Sequence, residues 1–145
     1  MSDTLPMRIS GALRVVWAIT MPTIPYEGLE RVYVLTGFIF GHTRFITDMH
    51  EVPNVSPFPK DTFTVLQRDV RVITASLPPE NVVLGYAHTH PDNCPNPSIN
   101  DMNGITRGLI GLVISDTDTH RWYMRRRAID PVIRRSLVAL QEQGE

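Results

Sequence analysis

Short apolar runs separated by proline-containing stretches predict a chain of alternating strands and helices. Arg31 to Phe40 is rich in β-branched and aromatic residues, which predicts a strand, and Thr43 to Thr47 is its expected partner. Asn81 to Thr89 is apolar almost throughout, so we expect it at the centre of the sheet. Leu109 to Ser115 and Arg121 to Ile129 are expected to form the two arms of a hairpin.

Three further segments carry helix signals. Asp61 can cap a helix that Pro78–Pro79 would end, and Ser98 can start another that runs to about Gly108. A third helix is expected to start at Asp130–Pro131, because proline suits the first helical turn. The apolar stripes of the first and third helices are Leu66, Val70, Ile73 and Leu77, and Ile133, Leu137 and Leu140. Together with the strands, these helices predict an α/β fold in which a mixed, curved sheet is flanked by helices.

Size and composition predict one soluble domain that spans residues 1–145. A net charge of −1 gives no reason to expect a nucleic-acid or anionic-membrane partner, and it leaves the oligomeric state open. Cys94 is the only cysteine, which excludes an internal disulfide and fits a reducing cytoplasm. Met1 to Ser10 lacks the features of a secretory signal, and Val15 to Ile19 is too short to span a bilayer.

The densest chemistry lies in the pattern H-x-H-P-x(6)-S-x-x-D, which begins at His88. His88 and His90 are two residues apart on a predicted strand, so both imidazoles point to the same side and can reach one metal ion. Asp101, near the start of a predicted helix, can supply a third and anionic ligand. Two histidines and one carboxylate leave a fourth tetrahedral position open for water, which is typical of a catalytic zinc site.

This pattern resembles the JAMM motif of the JAB/MPN domains, which are zinc isopeptidases. The upstream segment Glu30 to Gly37 is similar to the E-x-x-x-x-L-x-G element of the same family. The resemblance continues through Val82 to Ala87 and through Gly111 to Asp116, and it covers about residues 7 to 127. It implies a single JAB/MPN-like domain with a cytidine-deaminase-like fold. Tyr33 departs from the family pattern, which has a small residue there, so a neighbouring helix must accommodate its ring.

The resemblance also implies a role for each motif residue. His88, His90 and Asp101 would bind Zn²⁺, Glu30 would transfer the proton, and Ser98 would stabilise the oxyanion. The substrates of the family are ubiquitin-like proteins joined through their C-terminal glycine. This short chain resembles the prokaryotic stand-alone members, which process ubiquitin-like modifiers or sulfur-carrier proteins.

Each residue also has an alternative interpretation. Ser98 and Asp101 fit the S-x-x-[DE] capping box, which is compatible with metal binding by Asp101. Glu27 and Glu51 are the alternatives to Glu30 as the base. Cys94 could be a fourth ligand, but a thiolate would close the open position, so we interpret it as an incidental loop thiol. The other histidines, His42, His50 and His120, have no spacing relation to the motif.

Two other functions remain open at this stage. One is a non-catalytic MPN module that only binds proteins, although such modules typically lose metal ligands. The other is a RadC-like protein of DNA metabolism. A local cluster of arginines could be a solvated surface or, less simply, a docking surface for an acidic protein; its members are Arg121, Arg125, Arg126, Arg127, Arg134 and Arg135.

Overall fold

A computed structural model of the chain describes residues 14–17, 30–57, 63–90, 94, 96–115, 121–129 and, by their backbone, 132–134. Within this part of the chain there are eight strands and two helices. In chain order they are β1 (Arg14–Trp17), β2 (Val32–Phe40), β3 (Thr43–Val52), α1 (Gln67–Ala75), β4 (Val82–Thr89), α2 (Ile99–Gly104), β5 (Ile110–Ile114), β6 (Arg121–Met124), β7 (Arg127–Ile129) and β8 (Val132–Arg134).

All eight strands form one mixed sheet in the order β7-β6-β5-β4-β2-β3-β1-β8. β4 pairs with β5 in parallel, whereas β2 pairs with both β3 and β4 in antiparallel orientation. The parallel β4 and β5 are connected through α2, as parallel neighbours require a crossover. The prediction of an α/β fold with a mixed sheet is confirmed, and β4 lies in the interior of the sheet as expected.

The two faces of the sheet differ in what covers them. We call one the helix face; it carries Val32, Val34 and His88, and both described helices pack on it. From α1, Val70 and Ile73 contact the Val32 cluster, and from α2 Met102 packs beside Val113 and Tyr123. The other is the apolar face, a single buried cluster that includes Tyr33, Leu35, Ala87, Leu112 and Ile114. Helices on the apolar face remain a prediction.

The helix predicted to begin at Asp61 begins later. Its N-cap is Leu66 in an extended conformation, without a side-chain cap, and Asp61 itself lies outside the described residues. The residues just before it are bound to the segment after β3: Val55 N–H donates to the Thr64 carbonyl, and Thr64 N–H donates to the Asn54 side chain. Because these bonds engage the Thr64 backbone with another segment, the helix begins after it.

Two other helices were predicted too long or in the wrong place. α2 has Ser98 as its N-cap, as expected, but ends at Gly104 because the following Ile105 is extended and buried. Val132–Arg134 is a strand rather than the start of a helix, since its backbone pairs in parallel with β1. The remainder of that predicted helix, with Leu137 and Leu140, lies outside the described residues.

Two strand predictions also needed adjustment, and one ambiguous segment was resolved in part. β3 runs five residues beyond the predicted Thr47. β5 and β6 form the predicted antiparallel pair, but the second arm turns at Arg125 and Arg126 into a separate strand, β7. Arg126 has φ 69, a conformation that permits this tight turn. The pattern of residues 8–21 fits strand or helix equally, and its described part, β1, is strand.

Candidate metal centre

The pairing of β2 with β4 brings Glu30 next to the two histidines. Val32 is the register partner of His88, so the start of β2 lies beside the end of β4. Beyond that pair, Thr89 N–H donates to the Arg31 carbonyl at 3.0 Å, and Arg31 N–H donates to the Thr89 hydroxyl at 2.9 Å. These two bonds extend the contact past the last ladder pair. Glu30, 4% exposed, therefore sits buried beside the HxH segment.

A capping box at the start of α2 holds the Asp101 carboxylate beside the two histidines. The Ser98 hydroxyl oxygen accepts from Asp101 N–H at 2.9 Å, and Asp101 Oδ2 accepts from Ser98 N–H at 2.9 Å. The same Oδ2 lies 2.9 Å from His90 Nε2 and 3.2 Å from His88 Nε2. The capping role and the placement of Asp101 beside the histidines therefore coexist, with the cap fixing the carboxylate in position.

The donor atoms converge on one point. His88 Nε2 and His90 Nε2 are 3.2 Å apart, and Glu30 Oε1 is 3.8 Å from His88 Nε2. One donor atom from each of Glu30, His88, His90 and Asp101 lies within 4.8 Å of the others. In a tetrahedral zinc site with bonds of about 2.0–2.1 Å, neighbouring ligand atoms lie about 3.3–3.4 Å apart. The spacings among the histidines and Asp101 fit such an ion, so this cluster can bind a metal.

Both imidazoles have their other nitrogen engaged. His90 Nδ1 lies 2.9 Å from the Cys94 carbonyl, which accepts only if Nδ1 carries the proton. His88 Nδ1 lies 3.5 Å from the Tyr123 hydroxyl. A proton on Nδ1 leaves Nε2 with its lone pair, which is the form that binds a metal. The arrangement therefore favours ligation through the two Nε2 atoms that face each other.

Several supporting residues carried no signal in the sequence. Phe63 packs against His88 with ring centroids 4.6 Å apart and the rings tilted by 33°, although it belongs to a segment predicted as helical. Asn54 donates from Nδ2 to the Glu30 carbonyl at 3.0 Å and so restrains the residue before β2. The Tyr123 ring meets His88 edge-on at 6.1 Å. Each contact joins residues far apart in sequence, so no local pattern could have predicted it.

Burial and the neighbouring polar groups shift the pKa values of His90 and Asp101 in opposite directions. Burial lowers the pKa of His88. It also acts to lower the pKa of His90, but the hydrogen bond and charge of Asp101, with smaller contributions from Cys94 and Glu30, raise that pKa to about 9. Burial acts to raise the pKa of Asp101, yet hydrogen bonds with both histidines bring it well below its usual value. The carboxylate therefore stays ionised at neutral pH, as a metal ligand must.

The alternative residues lie elsewhere. Glu51 forms an ion pair with Arg31 at 2.7 Å at the protein surface, and Glu27 lies outside the described residues. Cys94 contributes its carbonyl to His90, and its thiol is not among the described groups that cluster at this point. Tyr33 is buried within the apolar face, away from α1. Its ring packs in this apolar cluster, and its contact with a neighbouring helix remains a prediction.

A cavity of about 580 Å³ opens beside Ser98 and Asp101. Its lining combines aromatic and apolar side chains with polar ones from α2 and its flanks: Phe63, Val65, Tyr86, Ser98, Asn100, Asp101, Asn103, Gly104, Ile105, Thr106 and Tyr123. Of the clustered donor residues, Asp101 is the one that borders this cavity.

The other described groups singled out in the sequence are not among the residues of the donor cluster. Four arginines of the cluster are exposed on β6, β7 and the turn between them: Arg121, Arg125, Arg126 and Arg127. The Arg134 side chain and the whole of Arg135 lie outside the described residues. His42 is exposed, and His50 Nε2 is 2.9 Å from the Thr36 hydroxyl. His120 is not described. No described helix is long and apolar enough to cross a membrane.

Comparison with known proteins gives a structural likeness only. No protein-family profile and no curated protein matches the sequence. The chain is similar to protein DSY2949 from Desulfitobacterium hafniense, with a TM-score of 0.60 and 20% identity over 74% of this chain and 79% of that one. It also matches AF2198, a JAB1/MPN domain protein from Archaeoglobus fulgidus, with a TM-score of 0.43 and 14% identity over 72% and 80%. The first likeness indicates a shared fold, and the second is too loose to support an argument.

Proposed function

We propose that this chain is a single-domain, cytoplasmic, zinc-dependent peptidase of the JAMM type. It would hydrolyse the bond after the C-terminal glycine of a ubiquitin-like or sulfur-carrier protein. The observation that carries the proposal is the convergence of His88, His90 and Asp101, with donor atoms 2.9–3.2 Å apart, beside the buried Glu30. The H-x-H-P-x(6)-S-x-x-D motif supports the same assignment.

In this proposal His88, His90 and Asp101 hold the metal ion. A bound zinc ion polarises the scissile carbonyl and lowers the pKa of water at the site. The two imidazoles bind through Nε2 because Nδ1 of each is directed to another partner. Asp101 contributes the negative charge, and the capping box with Ser98 keeps its carboxylate from rotating away.

Glu30 moves the proton. Its carboxylate is buried, and its Oε1 lies 3.8 Å from His88 Nε2, within the same group of donor atoms. A carboxylate there can take a proton from the attacking water and deliver it to the leaving amine. The Asn54 side chain donates to the Glu30 carbonyl and so restrains the backbone of the base just before β2.

Ser98 stabilises the developing negative charge on the carbonyl oxygen. Its hydroxyl oxygen accepts from Asp101 N–H, so its own proton is available to a substrate. Ser98 also lines the cavity, which supports a role for its hydroxyl as a donor to a peptide carbonyl bound there. A positioned donor of this kind favours the transition state over the substrate.

The proposal is tested by zinc content and by cleavage. We expect about one zinc per purified chain, and loss of that zinc in Asp101→Asn, which keeps an oxygen for the Ser98 cap but removes the charge. Fusions of a ubiquitin-like protein ending in two glycines to a reporter should be cut after the last glycine, as judged by mass spectrometry. Wild-type protein without zinc after reconstitution would overturn the proposal, and a protein-binding module would then explain the fold better.

A further inference from the structure

The Tyr123 ring lies where a side chain of its partner residue on the neighbouring strand would be, and this space is free because that partner is Gly111. Tyr123 on β6 is the register partner of Gly111 on β5, which in turn is the partner of Tyr86 on β4. A Cβ atom at Gly111 would overlap the phenol ring of Tyr123. The missing side chain therefore lets the ring lie across β5 in the direction of β4.

The ring position brings the hydroxyl to His88. Tyr123 is 1% exposed, and its hydroxyl is 3.5 Å from His88 Nδ1 while the two rings meet edge-on. On the opposite edge of the imidazole, Nε2 faces His90 and Asp101. His88 is thus held between the donor cluster on one side and a buried phenol on the other, with the Phe63 ring packed against it at a tilt.

The two histidines differ in what holds their Nδ1 atoms. His90 uses the backbone carbonyl of Cys94, which any residue could supply at that position. His88 uses a side chain, so its support depends on the identity of Tyr123 and, through the space above β5, on Gly111. Outer partners of metal-binding histidines fix the tautomer and ring orientation, and their loss costs metal affinity.

We propose that Tyr123 is a positioning residue: its hydroxyl accepts the Nδ1 proton of His88 and keeps Nε2 directed at the metal, and Gly111 is required to let it do so. The inference rests on the proposed function, in that it takes His88 as a ligand. It extends the site to β6 and assigns a role to a tyrosine and a glycine outside the motif.

The test compares Tyr123→Phe with Tyr86→Phe. Tyr86 is in the same cross-strand row and also lines the cavity, but no hydrogen bond joins its hydroxyl to His88 among the described contacts. Zinc affinity is measured by competition with a chelator, using the metal alone. We expect Tyr123→Phe to bind zinc roughly 10-fold more weakly, and Tyr86→Phe to bind it as the wild type does.

Two further measurements distinguish a positioning role of Tyr123 from a purely structural one. In the zinc-loaded wild type, the Nδ1 proton of His88 should give a slowly exchanging NMR signal that Tyr123→Phe loses. The d–d absorption of the cobalt-substituted protein should change in Tyr123→Phe, while the melting temperature of the metal-free protein stays close to that of the wild type. Unchanged affinity and spectra in Tyr123→Phe would overturn the inference, as would an equal loss in Tyr86→Phe.

Gly111→Ala gives an independent test, because it displaces the ring without altering any group of the site. We expect it to weaken zinc binding as much as Tyr123→Phe or more, whereas Gly104→Ala, where an added Cβ has nothing within 4 Å, should not. Wild-type affinity in Gly111→Ala would contradict the inference. A wild type that binds no zinc would instead overturn the proposed function itself, so the two failures are distinguishable.

Discussion

The helix face and the apolar face are built from alternating residues of the same strands, yet they differ in kind. Around the end of β4, Ala87 points into the hydrophobic cluster, while the next residue, His88, points into the group of metal donors. On the helix face polar atoms are buried, which is costly unless each has a partner. On the apolar face burial itself stabilises the sheet, at about 25 cal/mol for each Å² of apolar surface.

We infer that one face provides stability and the other provides the chemistry of the site. The apolar face holds the strands in register, so that the helix face can keep Glu30, His88 and Asp101 close together despite their charge and polarity. Substitutions on the two faces should therefore have separable effects: stability on one, chemistry on the other. The following substitutions test that separation, from the largest expected effect to the smallest.

Glu30→Gln should abolish turnover and leave zinc in place. Removing a general base costs about 10²- to 10⁴-fold in rate, and the amide cannot take the proton. The matched control is Glu51→Gln, which breaks only the surface pair with Arg31 and should change the rate little. The measurements are the cleavage rate of a fusion substrate and the zinc content of each variant. Full activity in Glu30→Gln, or an equal loss in Glu51→Gln, would show that Glu30 is not the base.

Leu112→Ala should destabilise the protein without changing its chemistry. Leu112 is fully buried on the apolar face, and truncating such a leucine costs about 2–5 kcal/mol of unfolding free energy. Urea denaturation measures that loss, and elemental analysis of the folded fraction should still find zinc at the wild-type ratio. If zinc were lost in proportion to stability, the two faces would not be independent.

Ser98→Ala should lower both turnover and the free energy of unfolding, the second only modestly. Loss of the N-cap acceptor costs about 0.5–2 kcal/mol, because Asp101 N–H loses its partner. Turnover should fall further than this destabilisation explains if the hydroxyl also contacts the carbonyl oxygen. Ser98→Thr retains a hydroxyl and serves as the control. A Ser98→Ala protein with normal turnover would leave Ser98 only its capping role.

Zinc binding near neutral pH should release about one proton from the metal-free protein. The pKa of His90 is raised to about 9, so below that pH its imidazole carries the proton that coordination must displace. Affinity should rise with pH until about 9 and then level off. Calorimetric titrations in buffers with different ionisation enthalpies measure the released proton. A binding heat that is independent of the buffer would contradict the raised pKa.

The sequence by itself determined the elements whose signals are local. The apolar run to Thr89 predicted an interior strand, and the S-x-x-D spacing predicted the capped start of α2. The resemblance to the JAMM motif also named the four residues whose donor atoms lie within 4.8 Å of one another, and their roles remain predictions. The strand and the cap could be predicted because strand alternation and helix capping depend on neighbours a few residues apart.

Only the tertiary structure decided the rest. The register skips one residue of β4, Leu84, and this irregularity sends Leu84 to the apolar face against the simple alternation. Val132–Arg134 became a strand because β1 offered a pairing edge. Tyr123 on β6 reached His88, two strands away on β4, because Gly111 on the intervening β5 left room. Each outcome depends on contacts between distant segments, whose free energy no local pattern contains.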